Sequence, residues 1–196
     1  MSEREHEKKQ RRRGRLFVLA GPSGVGKGTL RMRVLSDIDG LVYSISCTTR
    51  APRDGEREGT DYRFISKQEF EDREKRGLFL EHAAVHGNFY GTLREDVERE
   101  LAAGRDVLLE IDVQGAQQIR GLLPESVLIF VSPPSIAVLE ERLRRRETES
   151  EEQIALRLAN AKREMECIPA YDHVVLNDTL ERASEDLRGI IASYRR

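Results

Sequence analysis

The sequence predicts an α/β protein built on a parallel sheet, with a small mixed α/β lobe inserted into it. Three observations carry that prediction. Short apolar runs alternate with helical segments along most of the 196 residues. A glycine-rich loop joins the first run to the first helix. A charged, turn-rich stretch from Thr48 to Gly91 then interrupts the alternation.

The elements follow in order. "RLFVLAG" (15–21) is apolar and ends in glycine, as a buried strand running into a loop does. The next segment sets Leu30, Val34 and Leu35 on one helical face, and "LVYSIS" (41–46) reads as a second strand. Inside the interruption, "DYRFIS" and "FLEHAAV" alternate as short strands, and "KQEFEDREKRG" is helical. "EDVERELAAGR" is a helix ending at Gly104. "DVLLEID" and "SVLIFVS" are continuous apolar runs, the mark of strands covered on both faces. "VQGAQQIRGLL" is the crossover helix between them. Pro133 and Pro134 end the second run and precede the helix "SIAVLEERLRRR". Ile154, Leu158, Ala161 and Met165 form one stripe of a further helix. "HVVLN" is a last strand, and Leu180, Ala183, Leu187, Ile190, Ile191 and Tyr194 give a closing amphipathic helix. Ligands on such a sheet gather at the carboxyl ends of the strands.

Composition narrows the function classes. Hydrophobic residues make up 38% and charged residues 35%, for a net charge of −2. No run of about 18 apolar residues exists, so no membrane span is expected. No apolar signal segment opens the chain. The two cysteines, Cys47 and Cys167, lie far apart, which points to a reduced, cytoplasmic protein. The basic leader, residues 1–14, reads as a flexible solvated segment, and nothing in the chain requires nucleic acid.

Two motifs carry the chemistry. "GPSGVGKGT", Gly21, Pro22, Ser23, Gly24, Val25, Gly26, Lys27, Gly28 and Thr29, fits the phosphate-loop pattern G-x4-G-K. Its glycines let backbone N–H groups approach an anion at the positive end of a helix, and Lys27 can reach the β and γ phosphates of a nucleotide. Residue 28 is glycine where the pattern places a Ser or Thr hydroxyl near Mg²⁺. The second motif is "SCTTRAPRDGEREGTDY" (46–62). It offers Arg50 and Arg53 about a proline turn, two guanidinium forks suited to a terminal phosphate, with hydroxyl donors at Tyr62 and Tyr90. Together they describe a nucleotide site and a second phosphate site on one chain.

Here the chain resembles a known family. "GPSGVGKGT", "SCTTRAPRDGE", "DYRF", "FLEHAAVHGNFYGT", "LLEIDVQGAQQIR" and "PPS…LEERLRRRETESEEQIALRL" follow the order and spacing of guanylate kinases over about residues 15–195. The resemblance implies a P-loop kinase core (15–47 and 93–196), a GMP-binding lobe (48–92) and a helical lid (about 142–153). It implies Mg²⁺-dependent transfer of the γ-phosphoryl group of ATP to GMP. By position, Arg50, Arg53, Tyr62 and Tyr90 are the GMP phosphate clamp. Ser46, Glu81 and Thr92 read guanine with Asp112 assisting, and Glu56 stands near the guanine site. Lys27, Arg142, Arg146 and Arg157 face the transferring group, and Asn177 closes the adenine pocket. Thr29, Glu110 and Asp112 lie near Mg²⁺, which is held mainly by phosphates and water. The chain departs from the family's R-L-R-G-R-G-T-E at Arg145 and Glu147, and from its usual Ser at Gly28.

Overall fold

A computed structural model of the chain describes residues 12–85, 87–145 and 150–195. Most of the basic leader, and Arg146 and Glu147 of the lid segment, lie outside the described residues.

The core is a five-stranded parallel sheet of β1 (Leu16–Ala20), β2 (Leu41–Tyr43), β7 (Asp106–Glu110), β8 (Val127–Ser132) and β9 (His173–Leu176), in the order β2-β7-β1-β8-β9. Alternation along the strands divides the core. Phe17, Leu19, Leu108, Ile129 and Val131 face one layer with α1 (Lys27–Asp37), α5 (Ile136–Arg144), α6 (Glu151–Met165) and α7 (Leu180–Ser193). Leu16, Val18, Val107, Leu109 and Leu128 face the other, with α3 (Arg94–Ala102) and α4 (Val113–Leu122). Two covered faces explain why these strands read as unbroken apolar runs. Each fully buried Phe or Leu contributes roughly 1.5–3 kcal/mol of transfer free energy.

The inserted lobe has its own sheet, β4-β3-β6-β5, from β3 (Cys47–Thr48), β4 (Arg63–Phe64), β5 (Phe79–Val85) and β6 (Asn88–Leu93). Its helix, α2 (Lys67–Lys75), is capped by Ser66, which accepts from the Glu69 N–H. Phe70 stacks on Phe79 at 4.5 Å between ring centroids, and Cys47 completes the small core beneath them. Three details differ from the sequence expectation. The second strand stops at Tyr43, because the chain turns off the sheet toward the lobe. The lobe's sheet begins at Cys47 and runs to Leu93, one residue beyond each expected boundary. Its strands β3 and β6 carry no clear alternation, and only their antiparallel pairing makes them strands. Among the described residues no helix is long and apolar enough to cross a membrane.

Register brings the carboxyl ends together. Leu19 pairs with Glu110, so the exit of β7 stands beside the loop that leaves β1. Asn177, just past β9, reaches the same end of the sheet.

Candidate active site

The loop after β1 turns on glycines with positive φ. Gly21 (φ 140°) runs against the Val131 carbonyl, which a Cβ would meet at 2.4 Å. Gly26 adopts the left-handed conformation (φ 99°) that opens α1, where a side chain would be strained. No side chain caps this helix start, and Gly26, Lys27 and Gly28 line the cleft, which makes it an anion site. The Lys27 ammonium folds over the loop and donates to the carbonyls of Gly21 (2.5 Å) and Pro22 (3.1 Å).

Distant residues brace the loop. The buried Asn177 amide donates to the Val25 carbonyl at 2.7 Å. Arg142 donates to the carbonyls of Val25 (3.3 Å) and Asn177 (2.8 Å). Both side chains thus brace the loop through its Val25 carbonyl. Arg157 does reach the cleft and donates to Ser23 Oγ at 2.7 Å. Arg144 and Arg145 are tied instead to Glu140 and Glu141, one helical turn away.

Across the cleft, the lobe presents the arginine turn. Arg50 donates to Tyr90 Oη (3.2 Å) and to Glu56 (2.9 Å), and its guanidinium stands 5.5 Å from the Tyr62 ring centre. The other Glu56 oxygen accepts the Arg53 N–H at 2.8 Å. Burial opposes ionisation of Glu56, but hydrogen bonds from Arg50 and the Arg53 backbone hold its carboxyl below the usual value. Glu56 therefore shapes the arginine turn.

Deeper in, Glu81 is only 3% exposed. The Thr92 hydroxyl donates to its carboxylate at 2.6 Å, and Ser46 Oγ lies 3.3 Å from the Thr92 hydroxyl. Burial pushes the Glu81 carboxyl up to about 7; the Thr92 hydrogen bonds oppose this, and the nearby Asp112 charge adds to it. Asp112 lines the cleft while capping α4, accepting the Gly115 N–H at 2.9 Å.

One continuous cleft is thus lined by the phosphate-loop residues Gly21, Ser23, Gly24, Gly26, Lys27, Gly28 and Thr29 on one wall. Ser46, Arg50, Arg53, Glu56, Tyr62, Glu81 and Tyr90 form the other, and Glu110, Asp112 and Arg157 lie between. Sequence reasoning missed three of its charged residues, Arg31, Asp61 and Glu164. Arg31, one turn after Lys27 on α1, ion-pairs with Glu110 (3.4 Å) and Asp61 (3.9 Å) and stacks over Tyr43 at 4.1 Å. Glu164 lines the cleft from α6; burial raises its carboxyl above the ordinary value, and the Lys27 charge pulls it back. Helical spacing was the available signal for Arg31 and Glu164. Arg31 stands four residues from Lys27 and Glu164 seven from Arg157, each pair on one face.

The chain is similar to known proteins over nearly its whole length. The family model described as guanylate kinase matches residues 13–194. The guanylate kinase of Neisseria meningitidis serogroup A is 51% identical over 94% of this chain and 90% of its own length. That of Listeria innocua is 49% identical over 91% of this chain and 88% of its own. The crystal structure of guanylate kinase from Anaplasma phagocytophilum superposes with a TM-score of 0.79 at 34% identity, covering 94% of this chain and 87% of that one.

Proposed function

The chain belongs to the guanylate kinase family, and on that premise we propose how its cleft performs the family reaction. The protein is an ATP:GMP phosphotransferase. An oxygen of the GMP phosphate attacks the γ phosphorus of ATP, the bond from that phosphorus to the β-bridging oxygen breaks, and ADP and GDP leave. Such a transfer needs positioning and charge neutralisation more than a strong base. The observation that carries the reading is that the phosphate loop and the arginine turn face each other across one cleft.

The donor half is the loop from Gly21 to Thr29. Its N–H groups and Lys27 hold the β and γ phosphates, and Lys27 exchanges its carbonyl partners for phosphate oxygens. Asn177 and Arg142 keep the loop in shape, while Arg157 reaches over Ser23 toward the transferring group. Arg146, outside the described residues, is assigned the same role by family resemblance. The acceptor half is the lobe, residues 48–92. Arg50, Arg53, Tyr62 and Tyr90 hold the GMP phosphate, and Glu56 holds Arg50 ready for it. The Glu81 carboxylate accepts from guanine N1–H and the 2-amino group, with Thr92 and Ser46 orienting it. Adenine lacks that donor pair and would leave a buried carboxylate unpaired, which rejects AMP. dGMP keeps every group these residues read. Approach of lobe and lid (142–153) shields the transfer from water.

The donor set suits a divalent cation carried in on the nucleotide. A Cβ on Gly28 would lie 3.7 Å from the Glu110 carboxylate, so that carboxylate occupies the space a hydroxyl at residue 28 would reach into. Thr29 and Asp112 complete a set of hard oxygen donors around the cleft. Among the described residues no three His, Cys, Asp or Glu side chains form a dedicated metal cluster. We assign Mg²⁺ to this position, held mainly by phosphates and water; when bound, it neutralises charge on the β and γ phosphates. Free thiols at Cys47 and Cys167 fit a reducing cytoplasm.

The test is an acceptor panel with ATP and Mg²⁺: GMP, dGMP, AMP, UMP and a ribose bisphosphate. GMP and dGMP should be phosphorylated and the others left essentially untouched. Comparable turnover of AMP or UMP would refute the guanine-reading assignment.

A further inference from the structure

Gly115 lies inside α4, where glycine costs about 1 kcal/mol relative to alanine. Its backbone does not take the positive φ that would call for glycine. Space is what it supplies. A Cβ built on Gly115 would stand 2.3 Å from Glu81 Oε2 and 3.1 Å from Glu81 Cδ, far inside contact distance.

The helix has little freedom to retreat from such a collision. Gln118, one turn on from Gly115, donates to the His82 carbonyl at 2.7 Å and accepts the His82 N–H at 3.2 Å. Those two bonds lock α4 to β5 at the residue beside Glu81. At the helix start, Asp112 accepts the Gly115 N–H itself. On the far side, Thr92 holds the other Glu81 oxygen at 2.6 Å. A methyl at residue 115 would therefore displace the carboxylate by roughly 1 Å, since its oxygen cannot pass through either neighbour.

We propose that Gly115 is a positioning residue for base specificity: its missing side chain lets the Glu81 carboxylate stand where it accepts both guanine N1–H and the 2-amino group. The inference rests on the reading of Glu81 given above. Gly115 touches no substrate; it acts through Glu81.

The experiment measures kcat/KM for GMP and for IMP, which lacks the 2-amino group, in wild type, Gly115→Ala, Glu81→Ala and the double variant. ATP affinity is measured by calorimetry in each. Wild type should prefer GMP strongly. Gly115→Ala should lower kcat/KM for GMP about 100-fold, the scale of a 1 Å misplacement, and narrow the GMP:IMP ratio at least about tenfold. ATP affinity should stay within about twofold. In the Glu81→Ala background there is no carboxylate to displace, so adding Gly115→Ala should change kcat/KM by less than about threefold. A wild-type GMP:IMP ratio in Gly115→Ala, or equal losses in both backgrounds, would overturn the proposal. An unchanged ratio in Glu81→Ala would instead remove the reading of Glu81, and the role of Gly115 with it. Should Gly115→Ala fail to fold, the double variant should fold, because it removes the 2.3 Å collision and leaves only the 3.2 Å approach to Ile111 Cδ1; a double variant that also fails to fold would refute the inference.

Discussion

Changing pH across neutrality should switch the guanine pocket. The Glu81 carboxyl, buried behind Thr92 and near Asp112, is pushed up from 4.5 to about 7 in the free protein. Raised this way, it contributes stability that is complete below 4.5 and is lost as pH rises through about 7. The span corresponds to roughly 3 kcal/mol. GMP reverses the preference, because its N1–H and 2-amino donors need the ionised carboxylate. About one-tenth of the free protein is ionised at pH 6 and nine-tenths at pH 8, so the apparent GMP affinity should rise roughly tenfold between them. Binding at pH 7 should release about half a proton from this site. Calorimetry in two buffers of different ionisation enthalpy counts the protons. Glu81→Gln serves as the control that subtracts the second ionisation of the GMP phosphate, near pH 6. Equal proton release in wild type and Glu81→Gln would refute the argument, as would an affinity whose pH profile matches that of the variant.

Two further substitutions separate the halves of the cleft. Arg50→Ala removes a guanidinium positioned by Tyr90 and Glu56, and should raise KM for GMP roughly 10- to 100-fold while KM for ATP moves by less than about threefold. Steady-state kinetics with each substrate varied in turn checks this, and an unchanged GMP KM would remove Arg50 from the clamp. Arg31→Met leaves the half-buried Glu110 carboxylate without its ion-pair partner and should cost about 1–3 kcal/mol. For a chain of this size, a loss near 2 kcal/mol lowers the melting temperature by about 4–8 °C, read by calorimetry. An unchanged melting temperature would mean that Glu110 is adequately solvated without Arg31.

What could be read locally was read from the sequence. The phosphate loop is built from contiguous backbone, so its glycines and Lys27 announce it without reference to any other element. The parallel core is legible for a similar reason, since strands covered on both faces must be apolar at every position. The strands β3 and β6 were harder, because Cys47–Thr48 and Asn88–Leu93 are held by pairing across about 40 residues. Asn177 and Arg142 were singled out by resemblance, yet their side chains bind loop carbonyls, a placement set by the packing of α5 and β9 against the loop.

The sequence by itself therefore determined the chemistry available: an anion-binding loop, an arginine turn and a carboxylate in an apolar strand. Their arrangement was decided by the tertiary structure, because it depends on contacts between elements distant in the chain. Glu81 becomes a buried, proton-holding group only when α4 closes over β5, and Gly115 matters only because that helix is pinned there by Gln118. Arg31 and Glu164 join the cleft by the same logic, as helix faces with no meaning until the sheet orients them. Local backbone geometry is encoded within a few residues, whereas the distance between two charges is set by the packing of the whole domain.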